Sequence, residues 1–196
     1  MTMNKNVKPV APRALYQQKF TSARYNLLLV IGMTLINIVM LFLGGSSYFL
    51  FSATIPYSLS IDGAYYTGKL PEEFYTDMPA DAQFFPDSYL AIMLGIAIAI
   101  LAVYFLCFML SKKFKTGWMI TAAVMFVLDT LYMLFIYGVG IDSVMDILLH
   151  AWVLYYLISG VVYGLKLKKL PEDEPAPVDG EGVEIEIPTQ TNDKAD

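Results

Sequence analysis

Four long apolar runs constrain the fold of this chain more than any other feature. We expect membrane spans at about residues 25–51, 89–110, 118–137 and 143–165. A helix needs about 20 mainly apolar residues to cross a hydrocarbon core of about 30 Å. Inside a bilayer no water is present to bond the backbone, so a spanning segment satisfies its own amides and carbonyls as a helix. The sequence therefore predicts an all-α fold, a polytopic membrane protein with a four-transmembrane-helix bundle.

Composition supports this class and narrows the chemistry. The chain is 57% hydrophobic and 16% charged, whereas soluble domains are about 45–50% apolar and about 25% charged. Its one cysteine, Cys107, permits neither an intrachain disulfide nor a cysteine zinc site. The sequence has no glycine-rich phosphate loop and no serine nucleophile elbow. We therefore expect no cofactor and no nucleic-acid partner. The expected partners are the lipid bilayer and either a second copy of the chain or another membrane protein.

The distribution of basic residues predicts the topology. Eleven of the thirteen Lys and Arg residues lie in segments 1–24, 111–116 and 166–169. With four spans, these three segments fall on one side of the membrane, and Lys and Arg are enriched on the cytoplasmic side. The sequence thus predicts a multi-pass protein of the cell (plasma) membrane with both termini in the cytoplasm.

The same pattern divides the chain into regions. Residues 1–24 are predicted as a basic cytoplasmic arm, 25–165 as the membrane domain, and 166–196 as a cytoplasmic tail that is first basic and then acidic. Residues 171–196 contain nine acids and four prolines. Such a composition buries too little apolar surface to offset the entropy of ordering, so disorder is predicted there.

Residues 54–87 are predicted as an extracytoplasmic loop at the membrane interface. They carry six acids against the single Lys69. Pro56 is expected to end the first helical element, and Pro71 followed by two glutamates favours a short helix. The sequence leaves open whether the first helix already breaks near Gly44 and Gly45.

Polar side chains within the apolar runs are the candidate site. An ionisable residue in a span is costly and therefore marks a functional hypothesis. Counting about 1.5 Å per residue from the nearest basic residue puts Asn37, Asp129 and His150 roughly 20–24 Å from the basic edge. The candidate intramembrane polar layer consists of these three residues together with Asp146. No catalytic residue is predicted.

The fourth run carries three of its polar residues on one helical face. Asp142, Asp146 and His150 recur at every fourth position. Asp142 is expected to cap the helix N-terminus, and Asp146 is favoured in the first turns by the positive end of the helix dipole. Thr34 and Asn37 form a second polar stripe that predicts helix-to-helix hydrogen bonding.

Three hypotheses compete for Asp129 and His150. They form a buried hydrogen bond that fixes the third helix against the fourth, or they belong to a proton or cation path. Histidine changes charge between about pH 5 and 8, which suits a proton relay. In the third hypothesis Asp129, Asp146 and His150 bind a metal that activates water, although one His with two Asp is a poor zinc set.

Small residues near the end of the fourth run suggest close helix packing. Gly160 and Gly164 form a small-xxx-small pair. Packing within the bundle is the simpler interpretation, and a dimer interface is the alternative.

Three stretches carry a resemblance to known proteins: ARYNLLL at 23–29, YFLFS at 48–52 followed by IPY at 55–57, and HAWVLYYLISG at 150–160. They resemble a group of uncharacterised small four-helix integral membrane proteins of Gram-positive bacteria. The resemblance covers about residues 16–170. It implies a bacterial plasma-membrane location and provides no catalytic residues.

Function is expected to be that of a non-enzymatic accessory or regulatory subunit that acts through helix contacts. The alternatives are a transporter or ion- or proton-coupled component that uses Asp129 and His150, and an intramembrane hydrolase.

Overall fold

A computed structural model describes residues 12–44, 49–79, 81–140 and 143–170. The helices are α1 (Pro12–Phe42), α2 (Thr54–Tyr66), α3 (Asp87–Leu110), α4 (Thr116–Tyr137) and α5 (Val144–Leu167), with 3₁₀ turns at Glu72–Tyr75 and Lys112–Phe114. The described part of the chain is all helical, without a strand. Helices α1, α3, α4 and α5 are long and apolar enough to cross a membrane. For these residues, the prediction of an all-α fold with four helices able to span a membrane is confirmed.

The four long helices form a ring. Helix α1 packs between α5 and α3, and α4 closes the ring between α3 and α5. Many large apolar side chains of these helices are exposed on the outside of the ring, as expected for a surface in contact with lipid tails. They include Val39, Ile92, Leu106, Val124, Leu131, Leu148 and Ile158. The core contains Phe20, Leu27, Val30, Tyr104, Met119, Phe126 and Leu157.

One end of the ring, where α1 and α4 begin and α3 and α5 end, is called the basic end. Here the Arg24 guanidinium donates from Nε to Ser111 Oγ at 3.0 Å and from Nη2 to the Phe108 carbonyl at 3.2 Å. It also lies 4.9 Å from the centre of the Phe108 ring. A cation that bonds the last carbonyls of a helix complements the negative end of its dipole. Arg24 therefore fixes α1 to the end of α3.

Two glycines let α5 approach α1 and the start of α4 closely. A Cβ atom at Gly160 would lie 2.5 Å from Ala23 Cβ, and one at Gly164 would lie 2.6 Å from Thr116 Oγ1. Real Cβ atoms do not come this close to other atoms, so only glycine fits at these points. The structure places both glycines in contacts within the bundle, as the simpler interpretation of this pair expected.

Helix α1 differs from the predicted first span at both ends. It begins at Pro12 rather than Tyr25, because Ala14, Phe20 and Ala23 give the basic arm a buried apolar face. It ends at Phe42 rather than Phe51, and Gly44 follows with a φ of +72°, a conformation that glycine adopts without steric cost. The helix therefore starts earlier and ends earlier than the predicted first apolar run, and the cytoplasmic location of the basic arm stays a prediction.

Part of the predicted loop 54–87 is helix α2, which packs along α3 and also contacts α1 and α4. Pro56 does not end an element, since it lies in the first turn of α2, where its missing N–H leaves no bond unmade. The short helix predicted after Pro71 is present as the 3₁₀ turn Glu72–Tyr75. The end of α2 is tied to the start of α3 by the bond from the Phe85 N–H to the Tyr66 carbonyl, 2.8 Å.

Two sequence predictions concern residues outside the described ranges: the acidic tail 171–196 and the N-cap role of Asp142.

Candidate functional site

After α1 ends, the chain turns back into the bundle before α2 begins. Residues 49–55, here called the re-entrant segment, include the first two residues of α2 and return along α1 from the level of Asn37 to the level of Thr34. Helix α2 then leads outward again along α3, with Gly63 packed against Leu90 and Met93. Non-helical backbone at membrane depth is tolerated only where protein groups satisfy it. The site is the set of side chains that do so here.

Two polar residues of α1 bind the first part of the re-entrant segment. The Asn37 carboxamide donates from Nδ2 to the Phe49 carbonyl and accepts the Phe49 N–H at Oδ1, both at 2.8 Å. Thr34 Oγ1 accepts the Ala53 N–H at 2.8 Å and donates to the Val30 carbonyl at 2.7 Å. Thr34 and Asn37 were predicted to form hydrogen bonds between helices. In the structure they instead bind the backbone of the re-entrant segment.

Asp129 of α4 caps the start of α2. Its Oδ2 accepts the Thr54 N–H and its Oδ1 accepts the Ile55 N–H, both at 2.8 Å. The first amides of a helix have no partner within the helix, and a carboxylate near them is stabilised by the helix dipole. Only 1% of Asp129 is exposed. Both carboxylate oxygens therefore act as an N-cap supplied by a different helix.

His150 of α5 completes the contact. Its Nδ1 lies 2.9 Å from the Asp146 carbonyl, which can only accept, so Nδ1 carries a proton. Its Nε2 lies 3.2 Å from Thr54 Oγ1 and 3.4 Å from Asp129 Oδ2. A neutral ring accepts the Thr54 hydroxyl proton at Nε2, and a doubly protonated ring donates to Asp129. His150 thus couples α5 to both the cap and the capped helix.

The buried ring of His150 also packs on Phe126 of α4, with ring centres 5.3 Å apart and planes 21° apart. This stacking holds the imidazole plane, so Nε2 stays directed at Thr54 and Asp129. Asp129, Thr54 and His150, with Phe126 behind them, are called the latch below. The latch joins α2, α4 and α5.

The structure brings together two of the four predicted layer residues. Asp129 and His150 meet in the latch, whereas Asn37 binds Phe49 and Asp146 gives His150 only its backbone carbonyl. Asp146 Oδ1 is buried without a hydrogen-bond partner in the described part of the chain. Within the same ranges no group of three His, Cys, Asp or Glu side chains is placed to hold a metal ion.

A cavity of about 190 Å³ adjoins the latch. Its lining comprises Thr54, Tyr57, Met133, Tyr137 and Asp146. The cavity therefore lies next to Thr54 of the latch. It is also lined by Asp146, a residue of the predicted polar layer.

Sequence reasoning missed Thr54. A signal was present in Pro56, since proline is favoured in the first turn of a helix, which is where it lies. Pro56 was instead taken as the end of the preceding element, so the helix that Asp129 caps was not predicted.

The chain was compared with protein-family models, curated proteins and solved structures, and none of them matches it. The functional inference is carried by the geometry of the re-entrant segment and the latch.

Proposed function

We propose that this chain is an integral membrane protein that acts as a non-enzymatic accessory or regulatory subunit. In it, the latch holds α2 in place. The observation that carries the proposal is the use of both Asp129 oxygens by the Thr54 and Ile55 amides. A carboxylate bonded in this way stabilises a helix start and has little freedom to bind a passing ion. The polar layer is then a device that positions α2.

The outer end of α2 supports a role in contacts. Aromatic rings there form one cluster: Tyr65, Tyr66, Tyr75, Phe84, Phe85 and Tyr89. Phe84 and Phe85 are about half exposed, at 49% and 51%. Because α2 carries this cluster and the latch carries α2, a small shift of α4 against α5 would change the surface that a partner protein meets. A partner subunit or a second copy of the chain would act through this surface and the outward helix faces.

The proposal includes a location and an orientation. The basic end carries Lys112, Lys113, Lys115, Lys166, Lys168 and Lys169, which supports a cytoplasmic basic end and cytoplasmic termini by the positive-inside rule. The acids of segment 72–87 lie toward the opposite end. We further propose a bacterial plasma membrane, the location that the resemblance noted in the sequence implies.

The substitution His150→Gln tests the regulatory role. It is expected to lower the free energy of unfolding by about 1–3 kcal/mol, because Thr54 and the Asp146 carbonyl lose a buried partner of fixed geometry. It should also reduce by several-fold the amount of membrane partner that co-purifies with the tagged full-length chain. Thermal unfolding in detergent and quantitative pull-down from native membranes measure the two effects.

Tyr155→Phe is the matched control, since Tyr155 lies on the same helix and is 64% exposed. It should change neither stability nor partner recovery. If His150→Gln lowers the stability of the chain but leaves partner recovery at the wild-type level, the proposed regulatory role of the latch is contradicted.

The cavity beside the latch favours a second candidate, a proton- or ion-coupled component. It places the unpartnered Asp146 Oδ1 near Thr54 of the latch. Flux into proteoliposomes that depends on pH and disappears in Asp146→Asn, with the fold intact, would establish this candidate. Absence of flux with folded wild-type chain would exclude it.

A further inference from the structure

A second cavity, of about 470 Å³, lies at the basic end, remote from the latch. Three separate elements contribute cations to its lining: Arg13 from the start of α1, Lys113 and Lys115 from the α3–α4 turn, and Lys168 from the end of α5. Within the described ranges, Lys113, Lys115 and Lys168 form no ion pair. The three lysines repel one another across the cavity, and an anion between them would relieve that repulsion.

The α3–α4 turn holds two of its three lysines, Lys113 and Lys115, at the cavity. Lys113 and Phe114 have φ values of 56° and 59°, a left-handed conformation that is sterically unfavourable for residues other than glycine. The Phe114 ring anchors the turn against Phe20 in the core, with ring centres 5.6 Å apart. The turn is therefore fixed, and Lys113 and Lys115 stay on either side of its anchored residue.

The start of α4 adds a further positive potential. Thr116, Gly117 and Trp118 line the cavity. No side chain caps this helix start and no acid lies in its first turn, and the Thr116 hydroxyl instead donates to the Phe114 carbonyl at 3.3 Å. The first amides of a helix and its dipole attract anions, phosphate above all. The helix start and the cations of three other elements thus favour the same kind of ligand.

The position of the cavity indicates the source of the phosphate. It lies at the ends of the candidate spans α4 and α5, where lipid head groups meet protein. Trp118 at its edge is 41% exposed, and tryptophan at the end of a span favours the head-group level. Basic pockets between spanning helices suit anionic head groups. We propose that this cavity binds the phosphate of an anionic phospholipid.

Quenching of Trp118 fluorescence tests this site. Trp152→Phe leaves Trp118 as the one tryptophan of the full-length chain. The purified protein in neutral detergent is titrated with small amounts of brominated phosphatidylglycerol or brominated phosphatidylcholine. The proposal expects the anionic lipid to quench at a concentration several-fold lower than the zwitterionic lipid.

Charge substitutions distinguish this cavity from general basic charge. Lys113→Gln combined with Lys115→Gln should weaken phosphatidylglycerol binding by about tenfold or more, given about 1 kcal/mol for each lysine at a lipid head group. The control removes the same charge from lysines of the same end that do not line the cavity, Lys112→Gln with Lys169→Gln, and should change binding little. Lys168→Gln is a further cavity variant that leaves the strained turn unaltered.

The phosphate group could belong to a lipid or be free inorganic phosphate. Competition by inorganic phosphate, compared with chloride at equal ionic strength, distinguishes these two sources. The proposal expects free phosphate to compete weakly against the lipid. It is overturned if both lysine pairs lower lipid binding equally, if the two lipids quench alike, or if free phosphate displaces the lipid completely at low concentration.

Discussion

Replacement of Asp129 by alanine is expected to lower the free energy of unfolding by about 2–6 kcal/mol, because two amides, one buried and one partly buried, lose their acceptor and each such loss costs about 1–3 kcal/mol. The amides are those of Thr54 and Ile55, both 2.8 Å from the carboxylate. His150 also loses the Asp129 carboxylate, whose Oδ2 lies 3.4 Å from His150 Nε2. Unfolding of the protein in mixed micelles of increasing denaturing-detergent fraction measures the change.

Two further variants give this prediction its control. Asp129→Asn retains one carbonyl acceptor, so its effect should lie between those of the wild type and Asp129→Ala. Asp146→Asn alters a carboxylate of the same predicted layer that bonds none of these amides, and it should be the mildest of the three. If Asp146→Asn destabilises the chain as much as Asp129→Ala, the cap is not what holds α2.

Replacement of Gly160 by alanine is expected to have the second large effect. The added Cβ would lie 2.5 Å from Ala23 Cβ, so α1 and α5 must move apart. Overpacking of this kind typically costs about 1–3 kcal/mol, although alanine is the better helix former by itself. The thermal unfolding temperature of the variant in detergent should fall accordingly.

A second substitution can restore the packing. Ala23→Gly removes the atom that the new Cβ meets, so Gly160→Ala combined with Ala23→Gly should be more stable than the sum of the single changes predicts. The control is Gly95→Ala in α3, where an added Cβ meets nothing within 4 Å. Additive effects of the two substitutions at Gly160 and Ala23 would contradict the close contact.

The candidate spans could be predicted because apolar length is a property of the sequence alone. The start of α1 could not be predicted, because Lys19 and Arg24 give the segment a basic composition. The buried Phe20 and Ala23 nevertheless pack it into the bundle. Arg24 is accommodated by the end of α3, a long-range contact that no local pattern shows.

Helix α2 was missed for a different reason. Its buried face is made of small and polar residues, Ser58, Ser60, Gly63 and Ala64. This face allows close packing against α3 but gives no apolar periodicity. The segment therefore has the composition of a loop although it is a packed helix.

The pair of Asp129 and His150 could be predicted from depth, because helix rise alone puts the two residues at one level. Their contact in the structure has Nε2 and Oδ2 3.4 Å apart. What depth could not predict is the third member, Thr54, since its position depends on the re-entrant segment, which runs back along α1. The interpretation of the pair changes with it, from a bond between two helices to the cap of a third.

Hydrogen exchange of the re-entrant segment in lipid nanodiscs tests the latch most directly. In the wild type, the amides of Ala53, Thr54 and Ile55 are each bonded to a side chain of α1 or α4, so a peptide that covers them should exchange as slowly as the middle of α4. In Asp129→Ala the same peptide should exchange much faster while α4 remains protected. Rapid exchange in the wild type, or exchange that Asp129→Ala leaves unchanged, would contradict a re-entrant segment held by the latch.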